Sequence, residues 1–234
     1  MEYPHVVGPE PDLGVDHRIA AGLVLFSSSP RPPGEEVAVL FAMFTGFFPS
    51  VGVIIIMQGV VVGEKRDGTA AWVFSKPLTK PAYILSKVIG NSLGVIGAML
   101  VIPGIFSYAL CALATGDLWN PVRFLAALGV IFLCHLFFLS LTLMLGTLFR
   151  SRGPVIGIGL GLWLMQQNLI GLWPALGFVL PWKLIIPIGE QMDAVAPSIL
   201  IGSHNYSPTL ILVVALESLL FILIGMYRFS REEF

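Results

Sequence analysis

The chain has 234 residues, 56% of them hydrophobic and only 12% charged, with a mean hydropathy of +0.88 and a formal net charge of −1. A soluble domain carries about twice that share of charge, so the composition is that of an integral membrane protein. Two cysteines, a net charge near zero and no basic tract interleaved with aromatics argue against a disulfide framework, a cysteine-based metal site and a nucleic-acid binder. Apolar residues come in blocks and not at every second position, which excludes a transmembrane barrel. The fold class expected is all-α: a polytopic helical membrane protein with about five transmembrane helices.

Taken in chain order, Met1 to Glu36 is polar and proline-rich, and its one apolar stretch, Ile19 to Phe26, is too short to span. It reads as an extracytoplasmic N-terminal segment (1–36) preceding a membrane domain (37–234). The first uncharged run is Val37 to Gly63, longer than the roughly 20 residues that a membrane helix needs.

A charged segment follows, Glu64 to Lys87. Glu64 to Thr69 ends the first span with a charged turn, and Gly68 permits a tight reversal that a residue with a Cβ resists. Thr69 is placed to cap a short amphipathic helix, Ala70 to Phe74, that includes Trp72. Pro77 and Pro81 stop that helix and enforce an extended link through Lys76 and Lys80 before the next helix starts near Tyr83.

The second run, Val88 to Gly116, holds the small-residue series Gly90, Gly94, Ala98 and then Pro103, where a kink is expected. The third, Phe124 to Phe149, carries His135 near its middle. The fourth, Gly153 to Trp182, opens with Gly153, Gly157 and Gly161 at four-residue spacing, expected to be a close-packing face, and carries Gln166, Gln167 and Asn168 at mid-depth. Pro181 to Ser207 is amphipathic, broken by Pro187 and Pro197, and reads as short surface or re-entrant helices flanked by Trp173 and Trp182 at interfacial depth. The fifth run, Pro208 to Tyr227, is apolar except for Glu217. Polar groups at that depth are costly unless they face protein or water, so His135, Gln166, Gln167, Asn168 and Glu217 are expected to face inward, as interhelical hydrogen bonds or as the lining of a substrate path.

Lys65, Arg66, Lys76, Lys80, Lys87, Arg150, Arg152, Arg228 and Arg231 fall on one side if the spans alternate; Arg18, Arg31, Arg123 and Lys183 fall on the other. The richer side is the cytoplasm by the positive-inside rule, which puts the C-terminus inside and the N-terminus outside a cell membrane.

The residues Glu64, Gly68 and Thr69, then Lys76-Pro77-Leu78-Thr79-Lys80, then Lys87 resemble the E-(K/R)-x-x-G-T … P-(V/I/L)-(S/T)-(R/K) … K signature of type-2 ATP-binding-cassette (ABC) permeases. The resemblance runs in outline from Val37 to Phe234. Lys80 stands where arginine is more usual, and nothing matches the family's first span; the start of the chain reads either as a start placed too far downstream or as that of a five-span variant. The resemblance implies that 64–87 is a cytoplasmic coupling loop docking on a separate ABC ATPase subunit, with Glu64, Arg66, Gly68, Thr69, Trp72, Pro77, Leu78, Thr79 and Lys80 as its contact residues. It further implies a second permease copy, or a related permease, as partner in the lipid bilayer, and an exporter without catalytic residues of its own. The chain has no G-x-x-x-x-G-K-[ST] phosphate loop, so it binds no cofactor itself; ATP and Mg are expected on the ATPase. The alternatives are an ion-coupled carrier or channel using His135 and Glu217, marked by an internal repeat, and a non-transporting membrane anchor for an ATPase.

Overall fold

The computed structural model describes residues 34–75, 78–116, 118–188 and 193–232. Among them there is no strand, and five helices are long and apolar enough to cross a membrane: α1 (Gly34–Arg66), α3 (starting at Lys80), α4 (Pro121–Leu148), α5 (Arg152–Leu172) and α8 (Pro208–Ser230). Between α1 and α3 lies the short α2 (Thr69–Phe74). Between α5 and α8 come a 3₁₀ turn (Pro174–Phe178), α6 (Trp182–Ile185) and α7 (Val195–Ile201). The expected short helices there are present, but Pro197 starts one of them instead of breaking it, because a proline in the first turn has no helical hydrogen bond to lose.

Two of the long helices contain a wide π turn, Met43–Phe47 in α1 and Ile96–Val101 in α3. Each includes the residue four before a proline, Thr45 before Pro49 and Met99 before Pro103. Proline lacks the N–H that this carbonyl would receive and its ring crowds it. Widening the turn relieves the clash, and at Pro103, where a kink is expected, the local irregularity is this π turn.

The core is built around α4, whose most apolar stretch is 67% buried. Its start is fixed by Asn120, whose side chain accepts from the N–H groups of Val122 and Arg123. Ala127, Ile131, Leu139 and Leu143 are fully buried along it. Glycines bring the neighbours close. A Cβ on Gly146 would meet Val61 Cβ of α1 at 3.3 Å, and one on Gly225 of α8 would meet Leu143 at 3.2 Å.

On α5 the close-packing glycine is Gly159, where a Cβ would lie 2.9 Å from Ile54 of α1. Gly153, Gly157 and Gly161, the expected packing face, have nothing within 4 Å of a Cβ position. Each residue turns about 100°, which puts Gly159 on nearly the opposite side of the helix from that stripe.

The spans alternate in direction. Lys65 at the end of α1 donates to the Thr147 carbonyl at the end of α4 (3.0 Å), and Lys80 at the start of α3 donates to the Ser230 carbonyl at the end of α8 (3.3 Å). At the opposite end, Phe41 of α1 meets Trp119 and Phe124 (both 5.5 Å between ring centres), and Tyr108 donates to the Trp119 carbonyl (2.7 Å).

Candidate functional site

The loop between α1 and α3 is built on its own spans. α1 ends as the Asp67 N–H returns to the Gly63 carbonyl (2.9 Å), and Gly68 then takes a left-handed φ of 71°. Only glycine adopts that conformation without strain. The Gly68 carbonyl receives the Trp72 N–H (3.3 Å), so the residue preceding α2 is Gly68, and Thr69 is the helix's first residue, not its cap. α2 ends where Ser75 folds both its N–H and its hydroxyl onto the Trp72 carbonyl. Thr79 is extended (ψ 140°) and α3 begins at Lys80, ahead of the start expected near Tyr83, so Lys80 is not part of an extended link: Pro81 falls in the first helical turn, where it has no hydrogen bond to lose.

Beneath α2 three rings from three elements meet. Tyr83 of α3 lies flat on Phe229 of α8, 5.1 Å between centres and 10° from parallel. Phe74 of α2 packs against both, at 5.2 and 5.8 Å. Ionic groups surround the rings. The two oxygens of Glu64 accept from the Tyr83 hydroxyl and from Lys87, and the Lys87 ammonium also sits 5.1 Å above the Tyr83 ring. Lys65 pairs with the Glu232 carboxylate (2.6 Å) and lies 5.6 Å over Phe229. Lys80 donates to the carbonyls of Ser230 and Glu232. Each ion pair, partly buried but still in contact with solvent, contributes on the order of 1 kcal/mol, and each ring pair about as much beyond its burial. Together they seat α2 on the ends of α1, α3 and α8.

The loop residues singled out from sequence therefore divide in two. Glu64 and Lys80 face their own chain and hold the base. Arg66, Gly68, Thr69, Trp72, Leu78 and Thr79 are exposed, with Trp72 at 63% and Leu78 at 42%. Pro77 lies outside the described residues. Tyr83, Phe74, Phe229, Lys65 and Glu232 were not singled out. The four-residue spacing of Tyr83 and Lys87 puts them on one helix face and could have flagged that pair, whereas nothing local marks Phe229 or Glu232.

The intramembrane polar residues do not form one site. His135 is fully buried; its Nε2 lies 3.1 Å from the Gly46 carbonyl, which the Ser50 hydroxyl also reaches (2.8 Å). The histidine and the serine thus share one carbonyl inside the π turn of α1. Gln166 is buried, its amide N–H reaching the Trp163 carbonyl (3.4 Å) and its Oε1 without a partner among the described residues. Gln167 and Asn168, expected to face inward, are exposed on the outer side of α5, because three consecutive helical residues sweep about 200° and cannot share a face. Glu217 is half-buried on α8 with Oε2 unpartnered among the described residues. No three His, Cys, Asp or Glu side chains among the described residues converge on a metal position.

Comparison with known proteins agrees with this architecture. The sequence pattern of the family described as ABC-2 family transporter protein matches residues 12–234. An "Uncharacterized transmembrane protein YxlG" of Bacillus subtilis is 31% identical over 150 residues, covering 63% of this chain and 56% of that protein. A "Probable ABC transporter permease protein NosY" of Pseudomonas aeruginosa is 30% identical over 148 residues, covering 62% of this chain and 51% of that protein. The chain thus spans about half the length of these curated relatives. With a family match that runs over nearly its whole length and five membrane-spanning helices in alternating directions, the chain belongs to the ABC-2 transporter family.

Proposed function

We propose that this chain is the membrane-spanning permease subunit of an ABC exporter, driven by ATP hydrolysis on a separate ATPase subunit. The observation that carries the reading is α2: a six-residue helix standing beyond the spans, with Trp72 exposed on top and a ring-and-ion base beneath. A large exposed aromatic on a fixed support is the kind of residue that anchors a protein interface. The loop and the C-terminus face the cytoplasm of a cell membrane, where the ATPase holds ATP and Mg; this chain does no covalent chemistry. Two permeases, identical or related, enclose the path, with His135, Gln166, Gln167, Asn168 and Glu217 as its candidate polar residues. Movement of α2 reaches α1 and α3 through the loop and α8 through Phe74 and Phe229.

Co-expression with an ABC ATPase encoded beside it tests the reading. The two should copurify, and Trp72→Ala or Arg66→Glu, both at exposed positions, should release the ATPase while the membrane part stays folded. Retained binding in both variants overturns the docking assignment. Binding without ATP-dependent flux in vesicles would identify an anchor instead of a transporter.

A further inference from the structure

On the face opposite the loop, the segment between α5 and α8 borders an open cleft of about 320 Å³. Phe178, Lys183, Asp193, His204, Tyr206 and Leu210 are among its walls. Its lining includes an ion pair: Lys183 Nζ lies 2.5 Å from Asp193 Oδ2, and Asp193 Oδ1 accepts the Ile188 N–H (3.1 Å). The Lys183 stem lies along Gly177, where a Cβ would touch it at 3.4 Å. An ammonium has three donors, so Lys183 keeps N–H groups for a ligand, and both Asp193 oxygens keep a lone pair.

Charge selects the ligand class. A net anion attracted by Lys183 is repelled by Asp193 beside it, and a net cation meets the reverse. A zwitterion satisfies both. The setting narrows the class further, since the lining includes the apolar Phe178 and Leu210 and the cleft lies between the end of α5, followed in the chain by the exposed Trp173, and the start of α8. Exposed aromatics at span ends sit at headgroup level.

We propose that this cleft binds an amphipathic zwitterion through its headgroup, with the phosphate on Lys183, a primary ammonium on Asp193 and the glycerol or chain portion against Phe178 and Leu210. The shared chemistry is phosphoethanolamine, carried either by a bilayer lipid or by a soluble headgroup. The site goes beyond the permease assignment and does not depend on it.

The test uses the full chain in vesicles of equal parts phosphatidylethanolamine and phosphatidylglycerol, extracted in mild detergent, with retained lipid counted by native mass spectrometry. Phosphatidylethanolamine should be enriched roughly three- to fivefold, the range that one or two half-exposed charge contacts supply. Lys183→Gln and Asp193→Asn, which each remove one charge of the pair, should each abolish the enrichment. Excess glycerophosphoethanolamine that displaces the lipid identifies the headgroup alone as sufficient; retention of the lipid against it assigns the site to the bilayer. Equal retention of the two lipids by the unaltered chain, or unchanged enrichment in both variants, overturns the proposal. No ATPase enters any arm, so this result stands apart from the docking test.

Discussion

Tyr83 and Phe229 are 146 residues apart in sequence and stack nearly parallel, joining the start of the second membrane helix to the end of the last. The loop helix α2 rests on this pair through Phe74. Phe229 has no exposed surface, so Phe229→Ala should destabilise the chain by about 3 kcal/mol. Amide exchange in Thr69–Phe74 should rise, while exchange in the centre of α4 stays slow. Unchanged protection of α2 would show that the rings do not support it.

Glu64 serves two partners at once, which separates charge from hydrogen bonding. Glu64→Gln keeps an acceptor for the Tyr83 hydroxyl and loses the charge facing Lys87, so it should lower stability by no more than about 1 kcal/mol. Glu64→Lys places two ammonium groups together and should cost more. Thermal melts of the purified protein in detergent distinguish the two, and equal losses would refute the assignment of Glu64 to the base.

Two glycine substitutions on α5 test its orientation. Gly159→Leu drives a side chain into Ile54 of α1 and should destabilise by several kcal/mol, in line with overpacking of a filled core. Gly157→Leu meets nothing within the chain and should leave the monomer's stability within about 0.5 kcal/mol. The reverse order in thermal melts would invert the helix.

Orientation in the membrane is checked by labelling. In a chain whose Cys111 and Cys134 are replaced by alanine, single cysteines at Ser75 and Ser151 should resist an impermeant thiol reagent in intact cells, and those at Asn120 and Asn205 should react. Labelling at Ser75 from outside would turn the molecule over.

Glu217 separates packing from charge. If it serves only packing, Glu217→Gln keeps transport-coupled ATPase activity and Glu217→Leu lowers stability by about 1 kcal/mol. If its charge meets substrate, Gln alone removes substrate stimulation while the complex still assembles. Normal transport in both variants would take Glu217 off the path.

The spans were legible because a bilayer demands long uncharged runs, and the loop reversal because Gly68 precedes a helix-starting threonine and two later prolines. The base of the loop was not, since Phe229 and Glu232 come from the far end of the chain and only tertiary contact brings them under α2. Nor could sequence choose between Gly159 and the stripe of Gly153, Gly157 and Gly161. Both sets are small enough for close approach, and which one meets α1 is decided by the rotation of α5 in the bundle. The polar run at 166–168 divides between a buried Gln166 and exposed Gln167 and Asn168 for a simple reason: adjacency in sequence is divergence on a helix.

The paired π turns, Met43–Phe47 and Ile96–Val101, divide α1 and α3 into a loop-side rod and a far-side rod apiece. A π turn holds one residue more than the regular ladder accommodates, and expelling that residue rotates one rod against the other by about 100°. In α1 the hydroxyl of Ser50 and the ring of His135 both grip the carbonyl that such a rotation would carry away. Of these two contacts only that of His135 comes from another span, so any such rotation in the first span would have to break a hydrogen bond to the third.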